Sequence, residues 1–195
     1  MDGLVVRLAK PGKLTGIVRD VGGAAQSGVT IFVRDAAGRA ISASGCTSDA
    51  AGRFTYEGIA PGRITASARG SRCASVESAA VEIRSGETSQ VELTVAEGTF
   101  LRVSLLGSSQ DDDAQPMRAR LRVLDEAGRR VDDLMSMEDV MGLLSEGFSS
   151  RERRVGPLAP GKYTLMATTL DGKDAKKSVL VEAGQGERSV KLRLK

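Results

Sequence analysis

The stretch TSDAAGRFTYEGIAPGRITASARG, residues 47–70, decides the fold. Its Asp-Ala-Ala-Gly run at 49–52 indicates a hairpin turn, because an Asp carboxylate accepts hydrogen bonds from the backbone ahead of it and Gly adopts a positive φ readily. Pro61 followed by Gly62 is a second turn signal. The segment RITASAR that follows alternates apolar and polar residues, as a half-buried strand does. The stretch therefore predicts strands separated by tight turns.

A similar stretch, RRVGPLAPGKYTLMATTLDG, appears at residues 153–172. The upstream segments also correspond, with VTIFVRDAAGRAI at 29–41 and ARLRVLDEAGRRV at 119–131. Each half then holds about seven short strands spaced roughly 8–12 residues apart, which is typical of a β-sandwich. The sequence predicts an all-β protein with two tandem sandwich domains, residues 1–97 and 98–195.

A similar strand sequence, of the kind that closes each half, occurs at three places. VELTVAEG (91–98) ends the first half, VKLRLK (190–195) ends the second, and LVVRLAKPG (4–12) stands near the start. We expect residues 4–12 to be the end of an upstream repeat, with Met1 not a native start; the alternative is an early first strand of domain one. The boundary at Glu97-Gly98 leaves almost no linker, which predicts a semi-rigid rod.

Composition excludes several classes of site. The chain has no His, Trp or Asn, so neither a Ser-His-Asp triad nor a Cys-His pair can form, and zinc would need an unusual ligand set. The net charge of +3 is too small to indicate a nucleic-acid or anionic-membrane partner. No apolar run is long enough to span a membrane, and the first residues lack a signal-peptide pattern. We expect no enzyme activity and no cofactor.

Clustered acids lie in predicted loops, with Asp111-Asp112-Asp113 as the densest group. Calcium binding there is one interpretation, because hard cations prefer clustered oxygen ligands. The favoured interpretation is solvated loop acids without a bound ion.

The second half carries an insertion at 132–150, within VDDLMSMEDVMGLLSEGFSS (131–150). Its apolar residues recur at helical spacing, which predicts a short helix near 137–145. The helix could serve as a lid over the open end of the sandwich. It could instead form a partner surface, because Met side chains adapt to many partners. That candidate surface consists of Met137, Met141, Leu144 and Phe148.

The turn and strand motifs resemble the carboxypeptidase regulatory-like domain, a transthyretin-like or prealbumin-like sandwich of Ig-like architecture. The resemblance rests on LTGIVRD (14–20) and TSDAAGRFTYEGIAPGRI (47–64), and in the second half on AQPMRARLRV (114–123) and GPLAPGKYTL (156–165). The second half departs from the pattern by lacking the Gly-x-Val opening. The resemblance implies a cell-envelope or extracellular module attached to other domains.

The two cysteines both fall in the first half. Counting chain reversals brings Cys46 and Cys73 to the same end of the sandwich, and the resemblance to an often exported family then suggests a disulfide between them. The alternative is two ordinary buried thiols in a cytosolic protein.

The expected function is a structural spacer or adhesive segment of a larger protein, bound to a protein partner or to neighbouring domains. The alternative is a carbohydrate-binding accessory module of an extracellular enzyme. Few aromatic residues are available to stack on a sugar, and Phe54, Tyr56 and Tyr163 are expected in the core, with Phe148 free to face solvent.

Overall fold

The computed structural model describes residues 9–41, 46–107, 119–131 and 152–195. Every regular element in these ranges is a strand, which confirms the all-β prediction. The helix expected near 137–145 lies outside the described residues. The strands are β1 (Gly12–Asp20), β2 (Thr30–Asp35), β3 (Cys46–Thr47), β4 (Arg53–Ile59), β5 (Gly62–Arg69), β6 (Cys73–Ala74), β7 (Val81–Ile83), β8 (Thr88–Glu97), β9 (Thr99–Leu106), β10 (Ala119–Leu124), β11 (Glu152–Leu158), β12 (Gly161–Thr169), β13 (Asp174–Val181) and β14 (Glu187–Arg193).

The Asp-Gly turns have the chemistry that the sequence predicts. Oδ1 of Asp49 accepts hydrogen bonds from the backbone N–H groups of Ala51 and Arg53 at 2.9 and 2.8 Å. Gly52 sits at φ 73°, a conformation that other residues adopt at a cost. The same turn recurs at residues 35–39 and 125–129. Each of these chain reversals can therefore be predicted from a few consecutive residues.

The strands of residues 12–97 form one hydrogen-bonded path in the order β3-β2-β5-β6-β8-β1-β4, with β7 beside β5. β1 pairs antiparallel with β4, so that Gly16 faces Phe54. Alternate residues of these strands point inward, because successive side chains in a strand lie on opposite faces. The buried residues include Leu14, Val18, Ile31, Val33, Phe54, Tyr56, Ile59, Ile64, Ala66, Leu93 and Val95.

Residues 99–193 form two three-stranded sheets, with orders β10-β12-β13 and β11-β9-β14. β9 pairs antiparallel with β11 and parallel with β14. Both sheets contribute to one hydrophobic core, which makes this part of the chain a β-sandwich. The core residues are Leu101, Val103, Leu105, Val123, Leu158, Tyr163, Leu165, Ala167, Val179, Val181, Val190, Leu192 and Leu194.

The chain divides into two compact units. The first comprises Met1–Ala68 and Glu77–Thr94, and the second comprises Arg69–Val76 and Val95–Lys195. The strand orders correspond: β4-β1-β8 in the first half has the same plan as β11-β9-β14 in the second, and β5 with β2 and β7 matches β12 with β10 and β13. The tandem-domain boundary at 97/98 stays a prediction.

Candidate functional site

The partner surface expected from the insertion falls on Met137, Met141, Leu144 and Phe148, which lie outside the described residues. The acidic group Asp111–Asp113 also lies outside them. Among the described residues, no three His, Cys, Asp or Glu side chains are grouped as metal ligands. Within the same ranges no helix is long and apolar enough to cross a bilayer.

The two cysteines lie in short strands, Cys46 in β3 and Cys73 in β6. Both thiols are free, so the expected disulfide is not formed in the structure. In the strand order, β2 and β5 stand between β3 and β6. Counting chain reversals gives the end of a sheet at which a residue lies, and it does not give the number of strands between two residues. The pairing stays a prediction that thiol labelling can test.

Burial affects the chemistry of both thiols. It raises the pKa of Cys46 to about 11 and also raises the pKa of Cys73, because a thiolate at either position would lose contact with water. The thiolate is the nucleophilic form of cysteine. At neutral pH both thiols are therefore protonated and weakly reactive.

Several of the described aromatic side chains pack in the core. Phe54, Tyr56 and Tyr163 are all buried, which confirms the sequence prediction. The hydroxyl of Tyr163 donates a 2.9 Å hydrogen bond to the carbonyl of Ala159, and this bond ties the residue to the Ala-Pro-Gly turn. Burial also raises the pKa of the Tyr163 hydroxyl.

Phe100 is half-buried, but one face of its ring is occupied. The guanidinium of Arg154 lies 3.6 Å from the ring centroid. Glu187 holds Arg154 in place at 3.5 Å and also binds Arg102 at 2.7 Å. Stacking of a sugar on this ring face would require Arg154 to leave both Phe100 and Glu187, so the arrangement gives no support to the carbohydrate-binding alternative.

The Phe100–Arg154–Glu187 group belongs to the outer face of the sheet β11-β9-β14, which we call the paired face. Its residues are aligned by the registers Arg154–Arg102 and Phe100–Glu187. The two arginines share one carboxylate, so each of them has an acidic partner within this face. Sequence reasoning missed this group because it depends on the register between three strands that are distant in the chain.

The strands β9 and β14 of the second unit pair in parallel. Seven register pairs join β9 to β14, from Phe100–Glu187 to Leu106–Arg193. The pairing is extended at both ends, because the N–H of Phe100 donates to Gly186 and the N–H of Leu194 donates to Leu106. In a parallel pair the start of one strand and the end of the other lie at opposite ends of the ladder, about 20 Å apart for seven residues.

Two basic side chains cap backbone carbonyls between β13 and β14. Arg188 donates from Nη1 to the carbonyl of Leu180 at 2.7 Å. Lys177 donates from Nζ to the carbonyl of Lys191 at 3.4 Å. Carbonyl groups on an edge strand are acceptors for a strand of another molecule. The two side chains therefore occupy acceptors at this edge.

Residues 13–96 match the carboxypeptidase regulatory-like domain family. The match covers the first of the two expected domains and less than half of the chain. It confirms the family resemblance for this segment. A search of curated proteins gives no match.

Several solved structures are remotely similar to the chain. The Bacillus anthracis TIE protein is 14% identical with a TM-score of 0.38, and the match covers 95% of this chain and 34% of that one. BcpA, the major pilin subunit of Bacillus cereus, is 10% identical with a TM-score of 0.39 and coverages of 95% and 69%. GBS52, the minor pilin of Streptococcus agalactiae, is 13% identical with a TM-score of 0.38 and coverages of 94% and 96%. The chain thus spans about a third of the Bacillus anthracis protein.

Proposed function

We propose that the chain is a non-catalytic structural or adhesive module of a larger cell-envelope or secreted protein, built from two tandem copies of one sandwich. The parallel pairing of β9 with β14 carries the proposal. The chain enters β9 at Thr99 and leaves β14 after Arg193, at the opposite end of the same ladder. A unit with this connectivity can be placed in series with others and can transmit tension along its strands.

The geometry decides how such a unit resists a pulling force. Tension between its entry and exit acts along β9 and β14, so the seven register pairs are loaded together in shear. Tension applied at one end of a strand pair would instead break the bonds one after another. A backbone hydrogen bond contributes about 1 kcal/mol net, so loading many bonds together raises the barrier to forced unfolding, which sets the unfolding rate under load.

The repeated strand plan supports the two-copy part of the proposal. β4-β1-β8 and β11-β9-β14 place an opening strand between a hairpin strand and a closing strand. Between the end of β8 at Glu97 and the start of β9 at Thr99 lies only Gly98. Serial copies with short connections are the pattern expected of a spacer.

The location and the absence of catalysis rest on other observations. Residues 13–96 match a family whose members include cell-envelope and secreted modules, which supports an envelope or extracellular location. The chain has no His, and both cysteine thiols are protonated at neutral pH. A non-catalytic role fits this chemistry better than a hydrolytic or transfer reaction.

Single-molecule force spectroscopy tests the proposal. The chain is pulled first from its two ends, which shears the β9–β14 ladder. It is then pulled from its N-terminal end and a Gln185→Cys handle just before β14, in a Cys46→Ser, Cys73→Ser background, which peels the same ladder from one end. We expect a clearly higher unfolding force for the second unit in the first geometry, identified by the length of chain released. Equal forces in both geometries would contradict a load-bearing role.

A further inference from the structure

The outer face of the sheet β10-β12-β13 carries four exposed basic residues, and we call it the basic face. Register places its side chains in rows across the three strands. One row is Arg120–Thr168–Asp174, the next is Arg122–Met166–Lys176, and Lys162 lies opposite Leu180. The four basic residues are Arg120, Arg122, Lys162 and Lys176, and Asp174 is the one acid in these rows.

The basic face is not neutralised from within the described part of the chain. None of its four cations forms an ion pair with a described residue, whereas Arg102 and Arg154 on the paired face share Glu187. Arg122 and Lys176 flank Met166 on strands whose backbones lie roughly 10 Å apart. This separation slightly exceeds the Debye length of about 8 Å at physiological salt, so the repulsion between the two cations is largely screened there and becomes appreciable at low salt.

The corresponding face of the first unit is arranged differently. There Arg34 of β2 pairs with Glu77, which precedes β7, at 3.4 Å, and both side chains are largely buried. In the second unit the edge strand β13 presents Lys176 instead of an acid. The first unit therefore supplies its own counter-charge on this face, whereas no described residue of the second unit does so.

Apolar side chains lie between the cations of the basic face. Leu124 and Met166 are half-buried, and Leu180 is 57% exposed. A partner that carries carboxylates alone would leave this apolar surface in water. A partner segment that alternates acidic and apolar side chains would match both features, since carboxylates pair with Arg and apolar groups cover Met166 and Leu180.

We infer that the basic face of the second unit docks an acidic, partly apolar segment of a partner protein. The inference deepens the proposed function, because it names the chemistry of the partner that a structural or adhesive module would hold. A protein segment fits better than a polyanion such as a sulfated polysaccharide, because the cations are interrupted by apolar residues and the whole chain carries a charge of only +3.

Fluorescence anisotropy with a defined probe tests the inference. The probe is a fluorescein-labelled peptide of alternating Glu and Leu residues, added to the full chain at low salt. We expect saturable binding, with affinity reduced about tenfold in R122E and in K176E, since each variant replaces an attraction by a repulsion. A peptide with Gln in place of Glu should bind at least about tenfold more weakly, because it cannot form charge-assisted bonds with Arg.

Matched controls separate this site from a general charge effect. R53E changes net charge by the same amount on an exposed position of β4, in the first unit, and should leave the peptide affinity unchanged. M166S should weaken the Glu-Leu peptide and leave a poly-Glu peptide unaffected. Circular dichroism melts confirm that each variant is folded.

Three results would overturn the inference. The first is that the Glu-Leu peptide shows no saturable binding, and the second is that R53E and R122E weaken its binding equally. The third is that heparin binds more tightly than the peptide and that M166S does not change the binding of either. None of these would alter the difference in unfolding force between the two pulling geometries. Failure of the docking site is therefore distinguishable from failure of the load-bearing role.

Discussion

Gly98 lies directly against the ring of Pro157. A methyl group added at Gly98 would overlap Cβ of the proline and would stand 3.3 Å from its Cα. Gly98 connects β8 to β9, so its neighbours are held by strands on both sides and have little freedom to move away. The close approach explains why a residue without a side chain occupies this position.

Gly98→Ala should therefore destabilise the protein by about 2–3 kcal/mol, because overpacking a rigid contact forces the backbone or the proline to shift. Gly184→Ala is the matched control: Gly184 has a φ of 72° with open space around it. That variant tests the positive φ alone and should cost about 1 kcal/mol. Urea unfolding measures the loss of stability in both variants. Equal losses would show that Pro157 can shift away from the added methyl group at little energetic cost.

Removing the cap on Leu180 should promote self-association. Arg188→Ala exposes the Leu180 carbonyl on β13, an acceptor that a strand of a second molecule can use. We expect sedimentation velocity to show concentration-dependent dimers, with a stability loss of no more than about 1 kcal/mol, because the bond is exposed. Lys191→Ala removes a nearby exposed cation while keeping this cap, and it should remain monomeric. Identical sedimentation of the two variants would contradict a protective role for Arg188.

The turn aspartate Asp35 should make stability depend on acid pH. Its carboxylate accepts hydrogen bonds from the backbone and side chain of Arg39, and these bonds hold its pKa below the ordinary value of 3.8. A lowered pKa in the folded state contributes stability above pH 3.8 that is lost as pH falls through the folded value.

Asp35→Ala should therefore lower the urea midpoint at neutral pH, and its difference from the wild-type chain should disappear at strongly acidic pH. Asp35→Asn retains the oxygen that accepts the backbone bonds and should fall between the two. A difference that is the same at neutral and strongly acidic pH would mean that the charge of Asp35 plays no part.

Cys46 should react slowly with alkylating reagents. Burial raises its pKa from 9.0 to about 11, so at pH 8 the thiolate fraction is about a hundredfold below that of an unshifted thiol. In the Cys73→Ser variant, mass spectrometry should show slow labelling that accelerates as pH rises toward 11. The same variant unfolded in urea should label at the ordinary rate, and equal rates in both states would contradict the raised pKa.

Labelling of the unchanged chain also decides the disulfide prediction. Two labelled cysteines without reductant would agree with the free thiols of the structure. Labelling that appears only after reduction would establish the bridge between Cys46 and Cys73.

Local patterns were the part of the fold that the sequence predicted well. Asp49 and Gly52 form the expected turn, and Ile64, Ala66 and Ala68 of β5 are buried as the alternation requires. These features depend on residues only a few positions apart. Their physical causes are therefore contained in short stretches of sequence.

Relationships between distant strands could not be predicted in the same way. The contact of Arg154 with Phe100, the cap of Arg188 on Leu180 and the rows of the basic face all depend on register. A shift of one residue would turn each of these side chains to the other face of its sheet. The register between two strands cannot be predicted from a single sequence in this way, because the paired residues lie tens of positions apart.

The order of pairing in the second unit also has a consequence for how the chain folds as it is synthesised. β9 is the first and β14 the last of the strands described in residues 99–193, yet they are neighbours in one sheet. At a synthesis rate of about 5–20 residues per second, β9 waits several seconds for its partner. Until β14 emerges, the sheet β11-β9-β14 is incomplete. The core shared by the two three-stranded sheets can therefore be completed only after β14 has been synthesised.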